Sequence, residues 1–302
     1  MLRRAIIVAG VAGIAALGAA TPGMFTARNL VNLFSNLLPL VILVAGQTVV
    51  LIGGGIDLSV TAIMAAVSVC GAAVMAGDHS ALAGIVAMLA VGAVLGASNG
   101  VAVASLGIPP FMASLAGMMF FGGAAVWATH SRNIAGLPAS FTRLGGAGYA
   151  ISVAACLVVA AHLLLRRSVW GRWLYAVGMN ARTSLVSGVP VAGVILSSYV
   201  LSGFCAAAAA ILYTARLETG SPVLGQRMFL DVIAAAVIGG ASLFGGRGGI
   251  PGVLAGAAFI AALDDVLDLN GLSFAAVLVA KGAVILGATA LDMARVRAWK
   301  AA

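Results

Sequence analysis

RRSVWGRWLYAVGMNARTSLVSGV, residues Arg166 to Val189, interrupts a chain otherwise written almost entirely in membrane-hydrophobic residues. Four arginines sit in it, Arg166, Arg167, Arg172 and Arg182, with no acidic residue, and Asn180, Thr183, Ser184 and Ser187 add neutral polarity. Apolar runs bracket it on both sides. Such a segment is either where the chain meets something in the cytosol or a long connection between helices. The residues alone leave both open.

The bracketing sequence sets the class. Of 302 residues, 63% are hydrophobic and 8% charged, and the mean hydropathy is +1.16, whereas about a quarter of residues in soluble domains carry charge. A transmembrane helix consumes about 20 apolar residues, so the chain is an all-α polytopic membrane protein with about ten spans, forming a single domain over 1–302. The net charge of +8 is dispersed singly and in pairs over loops and termini. It reads as a topology signal, with no nucleic-acid partner expected. Cys70, Cys156 and Cys205 lie in separate apolar segments without CxxC spacing and read as packing residues. Arg3 and Arg4 followed by Ala5 to Ala20 have the outline of a signal peptide. A retained first span is preferred, because it makes the topology come out even.

In order, the expected spans are 5–20, 37–53, a third that follows GGGIDLSV (53–60) and runs to Ala76, then 81–104, 110–130, 147–165, 190–214, 229–244, 250–267 and a tenth ending near Asp292. The polar stretch 21–36 is expected as a loop, and Pro109, Pro110 and Pro190 mark helix starts. Ten spans put both termini on one side. That side collects Arg3, Arg4, the four arginines of the central loop, Arg247, Arg295, Arg297 and Lys300, against Arg28, Arg132, Arg143, Arg216 and Arg227 opposite. The two-to-one bias places the termini and the loop 166–189 in the cytoplasm.

Ionisable groups inside a membrane cost about 2.5–3.5 kcal/mol on insertion scales and need a cause. Asp57 follows Gly53, Gly54 and Gly55 and precedes Ser59, the pattern of an interrupted helix. A capping Asp at a helix junction is the favoured reading, and a lining of the solute pathway the other. Asp264, Asp265 and Asp268 cluster late in the ninth span, facing either a vestibule or solvent. Asp231 suits a helix N-terminus. Lys281 falls mid-span and is expected to pair with an aspartate. Phe111 and Asn99 join Asp57, Ser59, Asp231, Asp264 and Asp265 as candidate pathway residues. Gly92, Gly96, Gly252 and Gly256 have the spacing of close helix packing. Residues 54–58 and 239–243 share GGxxL, too little to argue symmetry. No GxxxxGK[ST], HExxH, acidic metal cluster or nucleophile elbow occurs, so catalytic residues, metal and cofactor are all expected to be absent.

Five segments together, GGGIDLSV (53–60), NGVAVASLGIPPFMASL (99–115), GRWLYAVGMNARTSLVSGV (171–189), LDVIAAAVIGGASLFGGRGG (230–249) and VAKG (279–282), resemble the permease subunits of bacterial ABC importers for ribose, xylose and related simple sugars. That branch is similar to the branched-chain amino acid permeases. The resemblance implies a homodimeric or heterodimeric permease pair in the inner membrane, two cytosolic ABC ATPase subunits and a periplasmic or tethered solute-binding protein. It also implies that Gly178, Asn180, Ala181, Arg182, Ser187 and Gly188 belong to the segment that docks into the ATPase. Three departures stand out. Arg182 and Thr183 occupy a place where an acidic residue is common, Phe229 stands where a Glu is usual, and Asp264 and Asp265 replace a usual pair of asparagines.

The expected function is translocation of a monosaccharide or similar small polar solute by alternating access, driven by ATP hydrolysis on a separate chain. An ion-coupled secondary transporter using Asp57, Asp231 or Asp265 is the alternative. A membrane enzyme lacks a catalytic constellation, and an exporter of the same fold would need no binding protein.

Overall fold

The computed structural model describes residues 18–77, 80–273, 275–283 and 286–287. Most of the expected first span, the end of the tenth and the basic tail lie outside them. The described helices are α1 (Ala27–Ile52), α2 (Val60–Met75), α3 (Ala81–Ala104), α4 (Pro110–Thr129), α5 (Ala139–Thr142), α6 (Ala147–Arg167), α7 (Val169–Met179), α8 (Ala181–Val186), α9 (Val191–Leu217), α10 (Phe229–Ile238) and α11 (Ile250–Leu269). A further helix, α12, covers 275–283. Among the described residues there is no β-strand, only an isolated antiparallel bridge between Ile134 and Gly220. Six of these helices, α1, α3, α4, α6, α9 and α11, are long and apolar enough to cross a membrane.

Helix boundaries follow local chemistry where the sequence carries a punctuator. Pro110 occupies the first position of α4, and Pro251 lies in the first turn of α11; a missing N–H costs nothing at such sites. Of the polar stretch 21–36, expected as a loop, residues 21–26 do form turns, but 27–36 supply the first turns of α1. The Thr26 hydroxyl accepts from the Asn29 N–H at 3.3 Å and caps the helix there. The polar side chains that follow are bonded across the bundle, Asn29 to Asp265 and Asn36 to Arg216. Polarity at a helix end had been read as loop.

Glycine seams bring the central helices together. Cβ atoms on Gly92 would stand 2.6 Å from both the Ala207 methyl and the Gly203 carbonyl, and one on Gly203 would stand 2.9 Å from the Gly96 Cα. Thus α3 and α9 meet backbone to backbone. A second seam joins α10 to α11, where a Cβ on Gly256 would lie 2.8 Å from the Gly239 nitrogen. The run Ala206 to Ala210 of α9 is buried in the middle of the bundle.

The expected eighth span, 229–244, is corrected. Helix α10 has 10 residues, about 15 Å at 1.5 Å per residue, half of a bilayer core. The chain reaches its start by a re-entrant segment, 218–228, that runs down α2: Gly220 abuts Ala72 and the Ser68 carbonyl, and Gly225 abuts Met64. The Ser221 N–H donates to the Ser68 hydroxyl at 3.2 Å, and Ser68 and Thr214 share a hydroxyl pair at 2.7 Å. A buried non-helical backbone needs such partners. Helix α2 is short for a complementary reason, since residues 53–59 leave the end of α1 and fold back inward before α2 begins.

Two ends of the bundle result. At one, Ile52, α7 and the loop 245–249 meet; at the other lie Thr21 with Asn270, Asn36 with Arg216, and Ile134 with Gly220. We expect Gly203→Val to force the α3–α9 seam apart at about 1–3 kcal/mol or more. Thermal unfolding of the detergent-purified protein should fall by roughly 5 °C. Gly123→Ala, with nothing within 4 Å of its added Cβ, should leave the midpoint unchanged.

Candidate functional site

The segment 166–189 is a folded cap on one end of the bundle. Arg166 and Arg167 complete α6, where cations complement the C-terminal carbonyls. Ser168 then turns the chain, its hydroxyl donating to the Leu164 carbonyl at 2.6 Å and accepting from the Gly171 N–H at 2.8 Å. Trp170 Nε1 donates to the Ser197 hydroxyl of α9 at 2.7 Å. Helix α7 is thereby laid across the ends of its neighbours, with Leu174 and Val177 buried. Asn180 ends it and caps α8, its Oδ1 accepting from the Thr183 N–H at 2.9 Å.

The inward side of α7 touches two glycine-rich breaks at once. A Cβ on Gly178 would overlap the Ile52 carbonyl and stand 2.6 Å from the Gly246 nitrogen. Gly246 N–H itself donates to the Ile52 carbonyl at 2.8 Å, and Tyr175 Oη donates to the Gly248 carbonyl at 2.9 Å. Gly54, Gly245 and Gly246 all have positive φ, at 86°, 84° and 69°, which side-chain-bearing residues rarely adopt. The outward side is different in kind. Met179 is 76% exposed, Val186 81% and Leu185 61%, and Arg172, Ala181, Arg182, Ser187 and Gly188 are exposed around them.

Above the first break lies a buried polar network. Asp57, 1% exposed, accepts at Oδ1 from the Ser59 N–H at 3.0 Å and hydroxyl at 2.6 Å, and at Oδ2 from the Ser202 hydroxyl at 2.9 Å. Asn99 Nδ2 donates to the Ser59 hydroxyl at 2.7 Å. The Ile56 carbonyl accepts from Ser114 at 3.0 Å and from Tyr199 at 3.3 Å. Asp57 therefore closes the turn before α2 and ties it to α9 directly and, through Ser59, to α3. Phe111, 54% exposed, takes no part in this network.

The second buried polar group is ionic. Lys281 Nζ lies 2.6 Å from Asp231 and 2.8 Å from Asp264, so one ammonium from α12 bridges the first turn of α10 and the body of α11. Lysine and Asp231 are nearly sealed, with side-chain exposures of 5% and 6%, and Asp264 keeps 28%. Asp265, beside it in sequence, turns away and accepts from Asn29 Nδ2; Asp268 is exposed. The adjacent aspartates thus do separate jobs. Tyr175, Ser202, Ser114 and the Ile52 carbonyl were not singled out from sequence, since a lone hydroxyl in an apolar run carries no signal of its partner. Gln47 was missed too: it is fully buried in α1, and neither amide atom has a hydrogen-bond partner among the described residues.

The family described as "Branched-chain amino acid transport system / permease component" matches residues 29–289. The chain is 33% identical to the ribose import permease protein RbsC of Escherichia coli strain K12, over 92% of this chain and 90% of the relative. It is 37% identical to the RbsC of Bacillus subtilis strain 168, over 90% and 86%, and 33% identical to the D-allose transport system permease protein AlsC of Escherichia coli strain K12, over 92% and 88%. No solved structure matches.

Removing one member of a buried ion pair costs about 3–5 kcal/mol because the partner charge is stranded. We expect Lys281→Met, which strands two carboxylates, to lower the thermal midpoint most. Asp231→Asn should follow, and Asp264→Asn should do least, since Lys281 keeps Asp231 and Asp264 is the more hydrated partner. The triple variant K281M/D231N/D264N should recover much of the loss. Equal damage from Asp264→Asn and Lys281→Met would refute this ranking.

Proposed function

The chain belongs to the family of permease components described for the branched-chain amino acid transport system, a multi-pass protein of the bacterial inner membrane, and we propose that it is the membrane-spanning subunit of an ABC importer for a monosaccharide or similar small polar solute. What carries the proposal is similarity over nearly the whole length, in both directions, to proteins named as ribose and allose permeases. The membrane topology is ten crossings, the eighth made jointly by the segment 218–228 and the half-length helix α10, with both termini and the segment 166–189 in the cytoplasm. The end holding Asn29, Asp265 and Asn270 then faces outward, toward a periplasmic or tethered solute-binding protein. A second permease subunit, the same or a related chain, completes the pathway.

Two cytosolic ABC ATPase subunits supply the energy from separate chains. The α7–α8 cap suits docking to one of them: Met179, Leu185 and Val186 stand exposed at the end of the bundle, and Arg172 and Arg182 are exposed on the same two helices. Alternating access follows when closure of the ATPases tilts the helices tied to this cap. A neutral polyol needs no fixed counter-charge along its route, and the buried charges near the breaks are engaged by their own neighbours. The same engagement weakens the ion-coupled alternative. Asp57 is held by Ser59 and Ser202, Asp231 by Lys281, and Asp265 by Asn29.

In proteoliposomes holding the permease, its ATPase partner and its binding protein, ribose uptake should require ATP and persist with a proton uncoupler. Uptake by this chain alone that collapses with the uncoupler would favour the ion-coupled alternative. Asn180→Glu combined with Gly188→Glu should leave the permease inserted while the ATPase no longer co-purifies. Unchanged co-purification and uptake would reduce the segment to a connection.

A further inference from the structure

We infer that Gly178, the α1 terminus at Ile52–Gly54 and the loop 245–248 form one rigid junction, which moves the two halves of the bundle together when the α7–α8 cap is displaced. The inference rests on the proposed ATPase docking at that cap and adds how the motion leaves it.

Three backbones touch directly here, with the Ile52, Leu174 and Met179 side chains packed at their edges. A Cβ on Gly245 would lie 2.5 Å from the Gly178 carbonyl oxygen and 2.9 Å from the Gly54 Cα, so the segments are already in contact. A methyl on Gly178 would overlap the Ile52 carbonyl. Side chains cushion by changing rotamer, whereas backbone packed on backbone transmits displacement without that slack. Hydrogen bonds fix the register: Gly246 N–H takes the Ile52 carbonyl, one of the orphan acceptors that end α1, and Tyr175 holds the Gly248 carbonyl. Leu174 closes the side, 3.1 Å from the position of a Cβ on Gly53.

Each break leads to a different part of the bundle. From Gly53 the chain enters the Asp57–Ser59–Asn99–Ser202 network and starts α2; from 245–249 it starts α11, whose Asp264 shares Lys281 with α10. The first break also borders a small void. A cavity of about 60 Å³ opens beside it, lined in part by Gly53, Gly54, Gly55, Ser198 and Tyr199. A shift of α7 therefore reaches α1–α2 and α10–α11 together, and sliding of α7 over either break alone is opposed by direct backbone contact.

The test uses the full transporter, purified with its ATPase subunits and reconstituted with its binding protein, with ribose as the transported probe. Gly178→Ala should part α7 from Ile52, lowering uptake about tenfold and by clearly more than any accompanying loss of ATPase co-purification. Unchanged uptake overturns the inference, as does proportional loss of uptake and ATPase association, which would make Gly178 only a part of the docking face. Two further measurements cover a Gly178→Ala chain that fails to insert. Tyr175→Phe should lower the solute moved per ATP about two- to fivefold, and no change counts against the junction. Leu174→Cys with Gly53→Cys, on a chain with Cys70, Cys156 and Cys205 replaced by alanine, is bridged with a short bis-methanethiosulfonate. Bridged transporter should still import, because the two points move as one body; arrest of import with continuing hydrolysis overturns the inference. If no ATPase co-purifies with the unaltered chain, the docking proposal falls first and the inference with it.

Discussion

Hydrocarbon offers no water to a free peptide group, so every interruption of a helix within this bundle must be closed by its own neighbours. That constraint shapes the molecule. The chain breaks at 53–59 and at 239–249, and re-enters along 218–228, and each time the released backbone groups find partners in adjacent segments. Gly246 bonds the end of α1, Ser221 bonds Ser68, and the Ile56 carbonyl collects Ser114 and Tyr199. Since side chains would hold the segments apart, glycine is required at the contacts, and at Gly54, Gly245 and Gly246 the positive φ requires it as well.

The same economy governs charge. Asp57 and Lys281 are both buried, but they are accommodated differently. Asp57 is surrounded by hydroxyls and one backbone N–H and closes the turn before α2. Lys281 is surrounded by carboxylates and acts as a strut among three helices. The strut has a bearing on the departures from the resembling permeases. Of the adjacent pair that stands where asparagines were expected, Asp264 joins Asp231 on the lysine. Asp265, the second departure of the pair, is spent on Asn29 at the bundle end.

Much of this architecture was legible in the sequence, and the parts that were not share a cause. The bounds of α3, α4, α6 and α11 follow apolar runs closed by Pro, Gly or Ser, and the glycines at 92, 96, 252 and 256 do pack helices. Apolar length, however, says nothing about depth. The run 229–244 looked like a full span because the loop residues 239–244 after its first ten carry no charge and end on Leu243 and Phe244; only the path of 218–228 down α2 shows that α10 starts midway. The polar start of α1 misled for the opposite reason, as polar residues at a helix end resemble a loop until their partners across the bundle are known. A partner for Lys281 was expected among the aspartates, but which ones depends on how three helices cross, and spacing along one chain does not encode that. For the segment 166–189, sequence supplied the charge and the exposure but not the inward face, where Gly178 and Tyr175 meet the two breaks.

The junction of α7 with both breaks is the central claim, and structures of the full transporter in nucleotide-free and ATP-bound states test it most directly. Residues 52–54, 174–179 and 245–248 should superpose as one body between the two states, while their orientation relative to the end carrying Asn29 and Asn270 changes. Separation of Gly178 from Ile52, or of Gly246 from Ile52, when ATP binds would contradict the account.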